Sequence, residues 1–173
     1  LLFDKKCDGA SGTGFVVSQD GVVATAEHVT TSHGGCSCSK IYVDGVEASI
    51  IDGDKDTDTA ILKVNTTYKD VARISDRPMK LAEEVVVLGW PLGKEYFGTI
   101  SATKGHISGL TGNTKKYGEF RFSAPIQGGN SGGPIISELD GKVVGIVVSG
   151  IDSIDIQNLN FGKRTTILIE MMN

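Results

Sequence analysis

Short runs of β-branched residues, each stopped by a turn dipeptide, leave this chain little choice but an all-β fold. Gly12–Ser18 and Val22–Ala26 flank Gln19-Asp20-Gly21 and read as a hairpin; Ile41–Ile51 reads as a second, centred on Asp44-Gly45. Thr59–Val64, Val85–Trp90, Phe97–Leu110 and Tyr117–Ala124 read as further strands. Pro134–Ser137 and Lys142–Val148 flank a turn at Asp140-Gly141, and a last strand is expected over Leu159–Ile169. Residues 1–10 read as a loose lead-in, and only Ile167–Met172 as a short helix. Glycine is frequent at 23 residues and proline scarce at four, as many turns between short strands require. The expectation is ten to twelve strands in two six-stranded antiparallel barrels. An N-terminal barrel over 1–70, a crossover over 71–82 and a C-terminal barrel over 83–173 complete the division.

Several function classes fall away early. Lys and Arg total 17 against 21 Asp and Glu, a net charge of −4, so no basic field invites nucleic acid. No apolar run approaches the length of a membrane span. Gly12 and Gly14 lead into a strand rather than a helix, which rejects a dinucleotide fingerprint. The aspartates of Asp52–Asp58 invite a calcium-loop reading, but Thr57 and Lys63 stand where such a loop needs glycine and glutamate. No cofactor is called for. Leu1 in place of Met is expected of a processed product or an excised domain. Compartment and oligomeric state are not legible.

One stretch is chemically unusual. In Gln127-Gly128-Gly129-Asn130-Ser131-Gly132-Gly133-Pro134 a serine stands among four glycines, poor material for a helix or a regular strand. Such a turn can present Ser131 Oγ while the Gly129 and Ser131 amides, with Asn130 between them, frame an oxyanion hole. The same string alone would suit a surface turn. Upstream, His28 follows a buried strand, and imidazole exchanges protons near neutral pH. Asp58 stands at the mouth of another strand, where it can orient that ring. His33 and His106 lack such a setting.

Cys7, His33, Cys36 and Cys38 carry the ligand types of a structural zinc site. Their spacing is irregular and Cys7 is distant, so a Cys7 disulfide or three free thiols is favoured over zinc.

Thr25-Ala26-Glu27-His28-Val29, Asp58–Val64 and Gly129-Asn130-Ser131-Gly132-Gly133-Pro134 occur in the order His, Asp, Ser. In this the chain resembles the trypsin/chymotrypsin-like serine proteases, most closely their HtrA/Deg-type branch. Gly12–Val17, Gly89-Trp90-Pro91-Leu92-Gly93, Gly105-His106-Ile107-Ser108 and Gly141–Ile146 extend the resemblance over nearly the whole chain. It implies a chymotrypsin-like fold with the active site between the barrels. It also implies Ser131 as nucleophile, His28 as general acid and base, and Asp58 as the orienting carboxylate. The substrate would be polypeptide.

Three departures matter. Glu27 replaces a small or amide side chain before the histidine, with an effect on local ionisation or none. Asn130 replaces the aspartate that anchors a new N-terminus in trypsin-like enzymes, so activation by N-terminal insertion is not expected. The chain ends without room for a PDZ domain, which suits an isolated protease domain or a compact viral polyprotein protease. By resemblance, Pro125, Ile126, Gln127, Val148, Ser149, Gly150 and Phe161 surround the pocket for the residue before the scissile bond. The backbone from Ser149 to Ile151 would add the substrate as a strand. No acid stands there to hold Arg or Lys, and a small or medium aliphatic residue is expected. The rival readings are a dormant peptide-binding module and an esterase using the same three residues.

Overall fold

The structure is a computed structural model and describes residues 2–5, 11–31, 40–92, 98–112, 117–150 and 159–173. Cys7, His33, Cys36, Cys38 and Ile151 lie outside the described residues, so the cysteine expectations rest on sequence alone.

Among the described residues, twelve strands and two helices form. In the first half these are β1 (Leu2–Lys5), β2 (Ser11–Ser18), β3 (Val22–Thr25), α1 (Glu27–Thr30), β4 (Ile41–Val43), β5 (Val46–Asp54) and β6 (Thr59–Val64). The strands close into an antiparallel barrel in the order β1-β2-β3-β6-β5-β4. The second half holds β7 (Glu84–Gly89), β8 (Ser101–Gly109), β9 (Glu119–Phe122), β10 (Pro134–Ser137), β11 (Val143–Gly150), β12 (Asn160–Arg164) and α2 (Thr165–Met172). These strands close as β10-β11-β12-β9-β8-β7. All-β architecture in two six-stranded barrels is therefore what the turn-punctuated sequence implied.

Three local readings need correction. The lead-in contains β1, which pairs with both β2 and β4 and so closes the first barrel. Its four residues are too few to show a period, and one of its two partners, β4, lies far along the chain. The last strand stops at Arg164, after which the chain turns into α2 and lays Ile167 and Leu168 into the interior. Finally, α1 is a single helical turn after β3, where no helix was expected.

Turn chemistry behaves as the residues dictate. Asp44 and Gly45 have φ of 49° and 81°, the left-handed pair that a two-residue hairpin needs to match strand twist. Inside the second barrel the Phe120 ring fills the space left by two glycines. A Cβ on Gly145 would lie 2.5 Å from it, and one on Gly162 2.7 Å. Each barrel has its own apolar filling, Val23, Val43, Leu62 and Val64 in one and Val85, Ile107, Phe120, Phe122 and Ile135 in the other. A third cluster spans both, with Phe15 and Ile61 meeting Ile146 and Leu168.

Residues 65–83 run between the barrels and are fastened to each. Ala72 N–H donates to Val16 O at 2.8 Å, and Ser75 N–H to Val143 O at 2.8 Å. Arg77 binds the buried Glu83 through Nη1 at 3.1 Å and Asp140 through Nε at 2.9 Å, and also donates to Ser137 Oγ at 2.8 Å.

Candidate active site

His28 owes its place to its neighbours. Ala26 and Val29 are buried in the first barrel, and the Val29 N–H donates to Ala26 O at 3.2 Å, closing a single helical turn. Val29 fits there because Gly12 has no side chain; a Cβ would lie 2.8 Å from Val29 Cγ2. Between those two anchors, the His28 side chain stays partly exposed at the seam.

Asp58 ends the turn before β6 with φ of 52°, a left-handed conformation that aspartate tolerates better than most residues. Its carboxylate holds the histidine twice. Oδ1 accepts the His28 backbone N–H at 2.9 Å, while ring Nδ1 lies 2.8 Å from Oδ2 and 3.0 Å from Oδ1. A carboxylate only accepts, so Nδ1 carries the proton and Nε2 is left as the basic nitrogen. Glu27, next in sequence, is only 9% exposed and directs its chain toward Gly53, with Cγ 3.7 Å from where a Cβ would stand.

The serine turn is anchored peptide by peptide. Gly128 O accepts from Leu92 N–H at 2.6 Å, and Gly129 O accepts from Thr13 Oγ1–H at 2.7 Å. Asn130 N–H donates to Gln127 O at 3.0 Å, and Asn130 O accepts from Gly133 N–H at 2.9 Å. Ser131 O accepts from Thr13 N–H at 2.8 Å, and Gly132 N–H donates to Val147 O at 2.7 Å. Two amides remain. Among the described residues, neither Gly129 N–H nor Ser131 N–H has an acceptor. A trans peptide points its N–H opposite to the preceding residue's C=O, and no described peptide bond is cis, so Gly129 N–H faces away from the Leu92 bond to Gly128 O and Ser131 N–H away from the Gly133 bond to Asn130 O. Gly129 and Gly132, at φ of 96° and 83°, make this path possible.

Ser131 thus joins the barrels, bonded through its carbonyl to β2 and through the next amide to β11. Asn130 is 4% exposed and faces Gly89, where a Cβ would stand 2.5 Å from Oδ1. Of the remaining candidates, Pro125 is exposed and its carbonyl accepts from Thr103 Oγ1–H at 2.7 Å. Ile126 packs against the second-barrel core, which includes Val147, and Gln127 is exposed. Val148 is buried with Ala26 and Val29 in the first-barrel cluster, against which Phe161 also packs. Ser149 is exposed, pairs with Phe161, and is followed by Gly150 opposite Asn160. His106 sits on the surface of β8, paired with Glu84.

Thr13 escaped the sequence reading. Its only sequence signal is a β-branched hydroxyl between two glycines, and its partners on the serine turn lie more than a hundred residues away.

Two closed barrels with a His–Asp pair and a glycine-framed serine at their seam define the chymotrypsin-like class of fold. Sequence comparison agrees: the trypsin-like peptidase domain model matches residues 12–146, and the chain belongs to that family, on its HtrA-type serine protease branch. It is 37% identical over 144 residues to a probable periplasmic serine endoprotease DegP-like of Bartonella henselae, covering 79% of this chain and 27% of that one. Against serine protease HTRA1 of Xenopus laevis, identity is 34% over 152 residues, covering 84% of this chain and 32% of the relative. The chain therefore spans about a third or less of these relatives. The serine endoprotease structure from Yersinia pestis superposes with a TM-score of 0.79 at 25% identity, covering 99% of this chain and 60% of that one. Among the described residues no helix is long and apolar enough to cross a membrane.

Proposed function

We propose that the chain is a serine endopeptidase that cleaves polypeptides through Ser131, His28 and Asp58. The observation that carries this reading is the double hold of Asp58 on His28, which leaves Nε2 free to act as the base. A serine hydroxyl is too weak an acid to ionise usefully at neutral pH, so a base within reach is required. Ser131 Oγ adds to the scissile carbonyl as its proton passes to Nε2. The imidazolium so formed is stabilised by Asp58, and the carbonyl oxygen, now negative, receives the Gly129 and Ser131 amides. Collapse returns the Nε2 proton to the leaving amine and leaves an acyl-serine. Water, deprotonated by the same nitrogen, releases the acid and restores the hydroxyl.

Substrate choice follows the side chains around the turn. Ile126, Val148 and Phe161 are apolar, and no carboxylate or ammonium belongs to the set proposed for the pocket. A small or medium aliphatic residue before the scissile bond suits such a lining. A peptide panel tests this: faster cleavage after Arg or Glu than after Val, Leu or Ala rejects the pocket. Fluorophosphonate labelling that Ser131→Ala abolishes supports the nucleophile. The substitution should lower kcat by up to roughly 10⁶-fold. Absence of labelling in the unaltered protein favours the dormant peptide-binding module.

A further inference from the structure

We infer that Thr13 is a positioning residue for the oxyanion turn, its hydroxyl fixing the Gly129–Asn130 peptide that links the two peptide units carrying the Gly129 and Ser131 amides. The inference rests on the assignment of Ser131 as nucleophile and adds to it a residue outside the His, Asp and Ser positions.

Thr13 is 1% exposed on β2 and uses every polar atom it has on this turn and its supports. Its N–H donates to Ser131 O at 2.8 Å. Its hydroxyl donates to Gly129 O at 2.7 Å and accepts from Trp90 N–H at 3.1 Å. Its carbonyl accepts from Thr25 Oγ1–H at 2.8 Å, and that pair lies against the Cα of Gly132. One residue of the first barrel thus grips positions 129 and 131 of the turn and the end of β7 in the second barrel.

The hydroxyl matters because of what it holds. Gly128 and Gly129 impose almost no backbone preference of their own, so their peptide units can rotate unless something outside the turn opposes it. A hydroxyl has a single proton, and here it goes to Gly129 O while a lone pair takes the Trp90 amide. Without it, a part-buried carbonyl and a part-buried amide lose partners together, and the Gly129 carbonyl is released to turn toward the substrate side. β-Branching stiffens χ1 and keeps the hydroxyl aimed. The Thr13 methyl meanwhile faces Gly133, where a Cβ would lie 3.4 Å away.

The test compares Thr13→Val, which keeps the shape and removes the hydroxyl, with Thr13→Ser, which keeps the hydroxyl. Peptide hydrolysis is read per active site titrated with fluorophosphonate. Thr13→Val should lower kcat roughly 10- to 100-fold, the scale of a small misplacement of reacting groups, with KM and the pH profile held. Thr13→Ser should recover most of the loss. Hydrogen exchange at Gly129–Gly133 should quicken in Thr13→Val and not in Thr13→Ser, a readout independent of activity. Wild-type kcat per titrated site in Thr13→Val, failure of Thr13→Ser to recover, or unchanged exchange overturns the inference. If instead the unaltered protein shows no labelling that Ser131→Ala removes, it is the nucleophile assignment that fails, and the exchange comparison still decides whether Thr13 holds the turn.

Discussion

The Cα of Gly132 lies directly against the carbonyl oxygen of Thr13, with no room for a side chain between them. This contact is where the residue after the proposed nucleophile meets the first barrel, and it ties the glycine composition of the turn to the union of the barrels. Gly132→Ala would place a methyl on the Thr13 carbonyl and the Thr25 hydroxyl in a left-handed conformation at φ of 83°. The combined strain and overlap should cost about 2–5 kcal/mol. Thermal unfolding should show the loss, and fluorophosphonate labelling should fall with it. A variant that melts and labels like the parent contradicts the packing.

Asp58→Asn tests the hold on the imidazole. An amide offers Nδ1 a donor as readily as an acceptor, so the ring is free to take the tautomer with its proton on Nε2. Loss of the correct tautomer is expected to lower kcat by roughly 10⁴-fold while leaving the fold intact. Hydrolysis rates measured beside a circular-dichroism melt separate the two effects. Near-normal turnover would remove Asp58 from the mechanism.

The Arg77–Glu83 pair should shape the acid limb of stability. Burial pushes the Glu83 carboxyl upward, but hydrogen bonds from Arg77, Ser137 and the Lys80 backbone outweigh it and hold it below its usual value. A group depressed in the folded state binds more protons when unfolded, so its stabilisation is complete above the unfolded value and is lost as pH falls through the folded one. Glu83→Gln should therefore flatten the decline in melting temperature on acidification below the ordinary carboxylate range. Equal slopes in both proteins refute the assignment. Arg77→Met would strand the buried carboxylate and should cost about 3–5 kcal/mol at neutral pH.

Phe120 is fully buried and packed against Gly145 and Gly162. Truncation to alanine leaves a void that two glycines cannot fill, at a cost of about 3–5 kcal/mol in chemical denaturation. A smaller loss would mean that the barrel collapses around the gap.

What the sequence determined by itself is what depends on neighbours in the chain. Asp44-Gly45 closes a hairpin because two successive residues must take positive φ, and β-branched runs on either side need no distant help to extend. Ser131 among glycines, His28 after a strand and Asp58 before one were visible as candidates for the same local reason. Tertiary structure alone decided the rest. It drew Leu2–Lys5 into the first barrel through bonds to β2 and β4, ended the last strand at Arg164, and moved Val148 into the first-barrel core. It also joined Thr13 to Gly129 and Ser131, and His28 to Asp58. Apart from the pairing of β1 with β2, these contacts span residues far apart in sequence, where no local preference operates and only closure of the barrels brings the partners within reach.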